Sequence, residues 1–329
     1  MKLIALEEHF SAARIPGVEV PRGKEAFLKG TCAGAPFHEN PRTLGEIGDM
    51  RLGFMDAWGV DIQVLCTTSG QSLPAETAVD GCRKINDYLA EKIAQHPNRF
   101  RGFASIPTAV PEACAEELER CVRELGFVGC MIGGRLEDGS FLNSPAFEPF
   151  FAKAEELQVP IYLHPAVPPQ QVIDACYTNG LPDKISTVLS MYGYGWHVDP
   201  GIHFLNLLLS GVFDRYPNLQ IILGHWGELL PYFIERFNDA LPAAFTGLAH
   251  EPGYYLRNNL YVTPSGIYAP ENLVYCAAVL GADRILFSMD YPWVDPKGLN
   301  RILEHPALSG EDREKIAFRN AEKLLRIQA

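Results

Sequence analysis

The sequence predicts a (β/α)₈ barrel, and three observations carry the prediction. Eight short apolar runs recur along the 329 residues, with helical spacing of apolar positions in the segments between them. Those segments are long enough to act as crossover helices, so the strands pair parallel. The first run leads straight into Glu7-Glu8-His9. A doubly wound dinucleotide fold would place a glycine-rich phosphate loop there.

In chain order, strands are expected at residues 2–6, 62–66, 103–106, 128–132, 160–163, 220–223, 260–262 and 285–287. Helices are expected at 45–58, 79–96, 111–125, 145–157, 202–215, 230–241, 270–280 and 310–326. Eight such units commonly reach this length as one domain, so residues 1–329 are expected to form one barrel. Two segments are too long for plain connections. Residues 10–43 follow the first strand and residues 165–200 the fifth. Loops longer than about 15 residues are usually functional or disordered. In a barrel both would lie over the C-terminal face, where they would wall and cover a pocket.

Composition narrows the partners. With 47% hydrophobic and 21% charged residues, the chain is an ordinary globular one rather than a disordered one. A formal net charge of -12 repels phosphate backbones and argues against nucleic acid. No apolar run approaches about 18 residues, and MKLIALEEHF meets a carboxylate too soon for a secretory segment. A soluble cytoplasmic protein with no membrane partner is therefore expected. The 8 cysteines contain no C-x-x-C pair and read as reduced, mostly buried thiols.

The informative pattern is what ends the strands. Glu7 and His9 follow LIAL, His164 follows PIYL, His225 follows QIILG and Asp290 follows RILFSM. All these strand ends open onto one barrel face. Residues 7 and 9 differ by two, so in an extended strand both side chains point the same way, and Glu8 points away. Carboxylates and imidazoles converging on one mouth suit a divalent transition metal, Zn²⁺ or Mn²⁺, with an open position for substrate or water. His38, His96, His250 and His305 read as surface residues. His197 and His203, in GWHVDPGIHF, are read either as pocket residues or as core and helix-start residues.

At this point the sequence resembles a known family. LEEHF, YLHP, LQIILGHWGELLPY and DRILFSMDYPW look like the amidohydrolase-related, metal-dependent decarboxylases. The nearest groups are the γ-resorcylate, 2,3-dihydroxybenzoate and 5-carboxyvanillate decarboxylases, with aminocarboxymuconate-semialdehyde decarboxylase more distant. RLGFMDAWGVDIQVL and SGVFDRYPNLQIILGH extend the likeness over most of the chain. The resemblance implies that Glu7, His9, His164 and Asp290 hold the metal. It implies that His225 works beside Asp290 and that Glu228 orients His225. Read alone, Glu228 is equally a residue stabilising a helix start. Arg236 matches an arginine near the substrate and would supply a cationic anchor, or else it pairs with Glu235 or Asp239 on a helix surface. Trp293 is the second candidate for substrate binding. Two positions depart from the family pattern, Gly133 where those enzymes carry asparagine and Ala166 within His164-Pro165-Ala166-Val167-Pro168. Both fall around the substrate rather than the metal.

The implied activity is non-oxidative decarboxylation of a hydroxylated aromatic acid, by protonation of the ring carbon that bears the carboxylate. Asp290 would be the acid and His225 a proton-handling partner. The competing chemistry on the same ligands is hydrolysis of a lactone or acyl bond, with Asp290 as base to a metal-activated water. A homo-oligomer, dimer or tetramer, is expected.

Overall fold

The computed structural model describes residues 1–19, 44–136 and 139–327. The strands are β1 (Ile4–His9), β2 (Ile62–Cys66), β3 (Phe100–Gly102), β4 (Ala104–Ser105), β5 (Cys130–Gly133), β6 (Ile161–His164), β7 (Ile221–Leu223) and β8 (Leu260–Val262). All pair parallel, in the orders β1-β2-β3 and β4-β5-β6-β7-β8. β3 and β4 are halves of one extended segment. Phe103 N donates to Leu65 O at 2.9 Å, and Ala104 N to Gly129 O at 2.9 Å, so the segment passes from pairing β2 to pairing β5. Residues 285–288 close the ring through parallel bridges Val262↔Ile285 and Leu6↔Ser288. The result is the expected (β/α)₈ barrel, with its last strand, residues 285–288, reduced to two bridges.

The longer helices are α1 (Asp49–Trp58), α2 (Ala75–Gln95), α3 (Pro111–Arg123), α4 (Glu148–Leu157), α5 (Gln170–Cys176), α6 (Asp183–Ser190), α7 (Gly195–Leu209), α8 (Ile234–Ala240), α9 (Pro252–Asn258) and α10 (Pro270–Leu280). Pro111, Pro252 and Pro270 open their helices, where a missing N–H costs nothing. α7 starts at Gly195, seven residues before the expected 202, so Trp196 and His197 are helical. Helices α5 and α6 lie inside the segment 165–200, so this expected long loop is partly helical. Of the other expected long loop, 10–43, residues 20–43 lie outside the described residues, as does His38.

Strand alternation sorts the apolar side chains into two layers. Ile4, Leu6, Val64, Cys66, Met131, Tyr162, Ile222 and Leu286 pack together inside the ring. Leu3, Ala5, Leu65, Ile132, Leu163 and Leu223 pack outward against helix residues such as Leu89, Leu118 and Phe151. Seven described cysteines form no disulfide, and all but Cys176 are buried. No described helix is long and apolar enough to cross a membrane.

α2 buries Ala78, Cys82, Ile85, Asn86 and Leu89, a stripe at helical spacing with one amide in it. Asn86 Nδ2 donates to Ser105 O at 2.9 Å and Glu117 Oε1 at 2.7 Å, and its Oδ1 accepts from Ser105 N at 2.8 Å. One side chain thus satisfies both backbone groups of Ser105 on β4. Asn86→Ala leaves these buried groups unpaired, and we expect a loss of about 2–3 kcal/mol in denaturant unfolding at unchanged slope. A shift below about 0.5 kcal/mol would mean that water replaces the amide.

Candidate metal centre and active site

The C-terminal ends of the strands place the predicted ligands together. β1 is bulged at its end. Ala5 opposes Gln63 but Glu8 opposes Leu65, so three steps of β1 match two of β2. Glu7 sits in this bulge with φ of 64°. Plain alternation is therefore not what aligns Glu7 with His9, a correction to the expectation from their spacing. The bulge lets both reach the mouth while Glu8 turns aside, where its carboxylate accepts from Gln63 Nε2 at 3.0 Å and Met289 N at 2.9 Å.

Glu7, His9 and His164 bring one donor atom each within 4.8 Å of one another. Asp290 Oδ1 lies 3.2 Å from His9 Nε2. Each ligand is oriented from behind. Tyr162 Oη donates to Glu7 Oε2 at 2.5 Å, and Ser265 Oγ donates to the same oxygen. His164 Nδ1 donates to Pro165 O at 2.6 Å, which fixes the tautomer and leaves Nε2 for a metal. Cys66 Sγ stands 3.7 Å from His9 Nδ1. Arg51, fully buried on α1, donates to His9 O and to Gln63 Oε1 at 3.2 Å and stacks at 4.4 Å on the ring of Tyr291.

The charges fit a divalent cation. Glu7 Oε1 and His9 Nε2 are buried with no hydrogen-bond partner, although each has a second ligand just beyond 3 Å. Burial pushes the Glu7 carboxyl up, but the adjoining His164 ring and the charges of His225, His164 and His9 outweigh it and hold Glu7 at about 2. Burial pushes His9 down to about 3 and keeps it a neutral ligand. Burial, then the charges of Glu7 and Glu8, push Asp290 well above the usual carboxylate range. The Arg51 guanidinium serves Glu8 from behind, but on the cavity side Glu7 Oε1 and His9 Nε2 stay unpaired beside Asp290, with no cation between them. A divalent ion held by Glu7, His9, His164 and Asp290 would supply it.

His225 follows β7 on a tight left-handed turn. His225, Trp226, Gly227, Glu228 and Leu229 have φ of 48°, 62°, 80°, 50° and 69°. The turn works because Gly224 has no side chain. A Cβ there would meet Ser265 Oγ at 2.6 Å and Tyr162 Oη at 3.0 Å. Glu228 does not start a right-handed helix, as one reading of the sequence had it. Its Oε1 lies 2.7 Å from His225 Nδ1 and its Oε2 lies 3.0 Å from His197 Nδ1. Burial raises the Glu228 carboxyl, but the charges and hydrogen bonds of His225 and His197 outweigh it and leave it lowered. Burial opposes protonation of His225, and the Glu228 carboxylate overcomes it, so His225 is raised.

A cavity of about 330 Å³ opens above these groups. His9, His164, His225 and Asp290 form its floor, and Trp293, Trp196, Met191, Val294, Ile267 and Tyr192 supply apolar wall. Trp293 lies with its ring 6.5 Å from that of His9. Gly133 and Ala166 also line the cavity. A Cβ on Gly133 would meet Thr68 at 3.0 Å, so Thr68 fills space that a larger residue would claim. The structure does not bring Arg236 to this cavity. It is exposed on α8 and not among the lining residues. His203 is a core residue, accepting from Leu142 N at 3.2 Å, and burial pushes it down to about 3. The sequence did not single out Tyr162, Ser265 or Arg51. They lie inside strands, a turn and a helix with no local motif, and only ring closure brings them to Glu7 and His9.

A parallel barrel with this donor set at its C-terminal mouth is the amidohydrolase architecture, and the chain belongs to the amidohydrolase family, whose model matches residues 46–327. Within that family its likeness is to aromatic-acid decarboxylases. It is 35% identical over 340 residues to γ-resorcylate decarboxylase of Rhodococcus jostii, covering 98% of each chain. Dihydroxybenzoic acid decarboxylase of Polaromonas sp., solved with manganese and the inhibitor 2-nitroresorcinol, superposes with TM-score 0.85 at 33% identity, over 100% of this chain and 98% of that one. 5-Carboxyvanillate decarboxylase of Novosphingobium aromaticivorans, solved with manganese and 4-hydroxy-3-methoxy-5-nitrobenzoic acid, gives 0.87 at 31%, over 99% and 96%.

Tyr162→Phe removes one of two donors to Glu7 Oε2 while keeping the ring. We expect metal affinity to fall about 10-fold or more, read by titrating stripped protein with Mn²⁺. His164→Ala should leave the purified protein without stoichiometric metal. Full occupancy in His164→Ala, measured by elemental analysis, would remove His164 from the ligand set.

Proposed function

We propose that this chain is a metal-dependent, non-oxidative decarboxylase of a hydroxylated aromatic carboxylic acid. The observation that carries the reading is the meeting of two kinds of surface. His9, His164, Asp290 and His225, with Glu7 buried beside His9 and His164, form the floor of a cavity whose walls are largely apolar and aromatic. A flat ring with a carboxylate and a neighbouring hydroxyl matches that pairing. Residues 1–329 would act as one barrel domain, with part of segment 165–200 serving as a wall of the pocket.

One divalent ion, Mn²⁺ or Zn²⁺, would be held by Glu7, His9, His164 and Asp290, and when bound it orients the carboxylate and phenolate oxygens and favours the ionised phenol. The protein's own groups do the rest. Asp290 gives its carboxyl proton to the ring carbon that bears the carboxylate. That carbon becomes tetrahedral, its bond to the carboxyl carbon breaks, and the electron pair returns to the ring as carbon dioxide leaves. A free aryl anion is never formed. One proton is consumed per turnover, and Asp290 regains it from solvent. His225, held on Nδ1 by Glu228, faces the substrate with Nε2 and manages the phenolic proton. Trp293 and Trp196 enclose the ring and exclude water. A homo-oligomer is part of the proposal, and exposed Leu229, Tyr232 and Phe233 offer apolar surface for it. Arg236 would act at such an interface rather than inside its own chain's pocket. A cytoplasmic location fits the free, mostly buried thiols.

Two measurements test the chemistry. In heavy water with γ-resorcylate or a related hydroxybenzoate, the product should carry deuterium at the carbon that lost the carboxylate, with carbon dioxide released. Release of an acid with no carbon–deuterium bond would replace decarboxylation by hydrolysis. Asp290→Asn keeps a metal-binding oxygen but has no carboxyl proton, so decarboxylation should fall by more than its metal content. His225→Asn should keep most of its metal and lose about 10²–10⁴-fold in rate. Metal loss in step with activity would instead make His225 a ligand.

A further inference from the structure

The buried Glu228 carboxylate faces two imidazoles, and the partners of the second one, His197, favour one tautomer. Trp196 Nε1 donates to His197 Nε2 at 3.1 Å, so that nitrogen keeps its lone pair and the ring proton sits on Nδ1. Tyr192 O, 3.2 Å from the same nitrogen, would accept only from the opposite tautomer, which would leave Nδ1 with no proton to offer the Glu228 carboxylate, itself an acceptor alone. His197 Nδ1 therefore donates to Glu228 Oε2 at 3.0 Å. The remaining oxygen, Oε1, lies 2.7 Å from His225 Nδ1. The two rings meet edge to face, centroids 4.2 Å apart, and both line the cavity.

A carboxylate with only one donor can rotate, or it can take a proton and present O–H to His225 Nδ1. The second choice would put His225 in the opposite tautomer, with its hydrogen on Nε2. An N–H already seated on Oε2 disfavours both. We infer that His197 is a positioning residue: through Glu228 it fixes the His225 proton on Nδ1 and leaves Nε2 facing the substrate. The directional chain runs from the Trp196 indole through His197 and Glu228 to His225. Trp196 itself lines the pocket, so the wall that holds the ring also sets the state of the group that acts on it. The kinetic consequence rests on the decarboxylase reading, but the tautomer does not.

His197→Leu deletes the donor at similar bulk, and His197→Asn keeps an N–H near the Nδ1 position. With γ-resorcylate as the probe, the Leu variant should lose about 10- to 100-fold in kcat, with KM within about threefold and metal content unchanged. The Asn variant should regain most of the loss. Histidine ¹⁵N spectra of zinc-loaded protein should show wild-type His225 protonated on Nδ1 alone and a mixed pattern in the Leu variant. Trp196→Phe, which frees His197 Nε2 and keeps a ring in the wall, should give the mixed pattern with a smaller loss. An unchanged His225 pattern in the Leu and Phe variants overturns the inference. So do equal deficits in the Leu and Asn variants, or metal lost in step with activity. If wild type fails to decarboxylate γ-resorcylate, that counts against the substrate reading, and the nitrogen spectra decide the role of His197.

Discussion

Glu7 is an ionised carboxylate at the centre of the barrel mouth, wholly out of water. An unpaired buried charge costs several kcal/mol, so everything around it is arranged to meet that charge. One oxygen takes hydroxyl donors from Tyr162 on β6 and Ser265 beyond β8. The other takes none and turns to His9 and His164, where a cation belongs. The donors come from strands far apart in the chain, so Glu7 can be satisfied only in the closed ring. Binding a metal and closing the barrel are two halves of one electrostatic requirement.

The backbone around the site is held in conformations that side chains ordinarily avoid. Glu7, His225, Trp226, Glu228, Leu229, Ser265 and Asp290 all have φ between 43° and 69°. Such residues cost of order 1–3 kcal/mol each and persist where the surrounding fold over-determines them. Here it does. His9 N donates to Tyr291 O at 2.7 Å, Trp226 N to Thr263 O at 2.8 Å and Trp293 N to Asp290 O at 2.7 Å. Arg51 and Glu8 lock the back of the same strand ends to Gln63 and Met289. The strained turns aim carboxylates and imidazoles inward at angles that a regular strand could not provide.

Above the candidate metal ligands the demands on the sequence relax. Gly133 and Ala166 leave room that Thr68 and the apolar wall share, and Gly134 already approaches Ala166 so closely that a Cβ there would lie 2.4 Å away. The floor is constrained by charge and the walls by shape alone. The departures from the resembled decarboxylases lie in these walls, where a change of volume alters which ring substituents fit without disturbing the chemistry below.

Much of this was legible in the chain itself. Strand runs ending in Glu7, His9, His164 and Asp290 pointed to the barrel and to the one face that gathers these candidate ligands, because strand direction is a local property that survives into the fold. The GHWGE motif marked His225 and Glu228 through its likeness to the decarboxylases rather than through strand pattern. Other features were decided only in three dimensions. The bulge that turns Glu7, the partners Tyr162, Ser265 and Arg51, the place of His197 on Glu228, and the position of Arg236 outside its own cavity depend on ring closure and helix packing. Hydrogen bonds between residues as far apart as 7 and 265 leave no periodic trace in a sequence, since each partner looks locally like an ordinary core or turn residue. The sequence by itself determined which chemistry stands at the strand ends, and the tertiary structure decided how those groups are oriented, because orientation is set by contacts that exist only once the ring is closed.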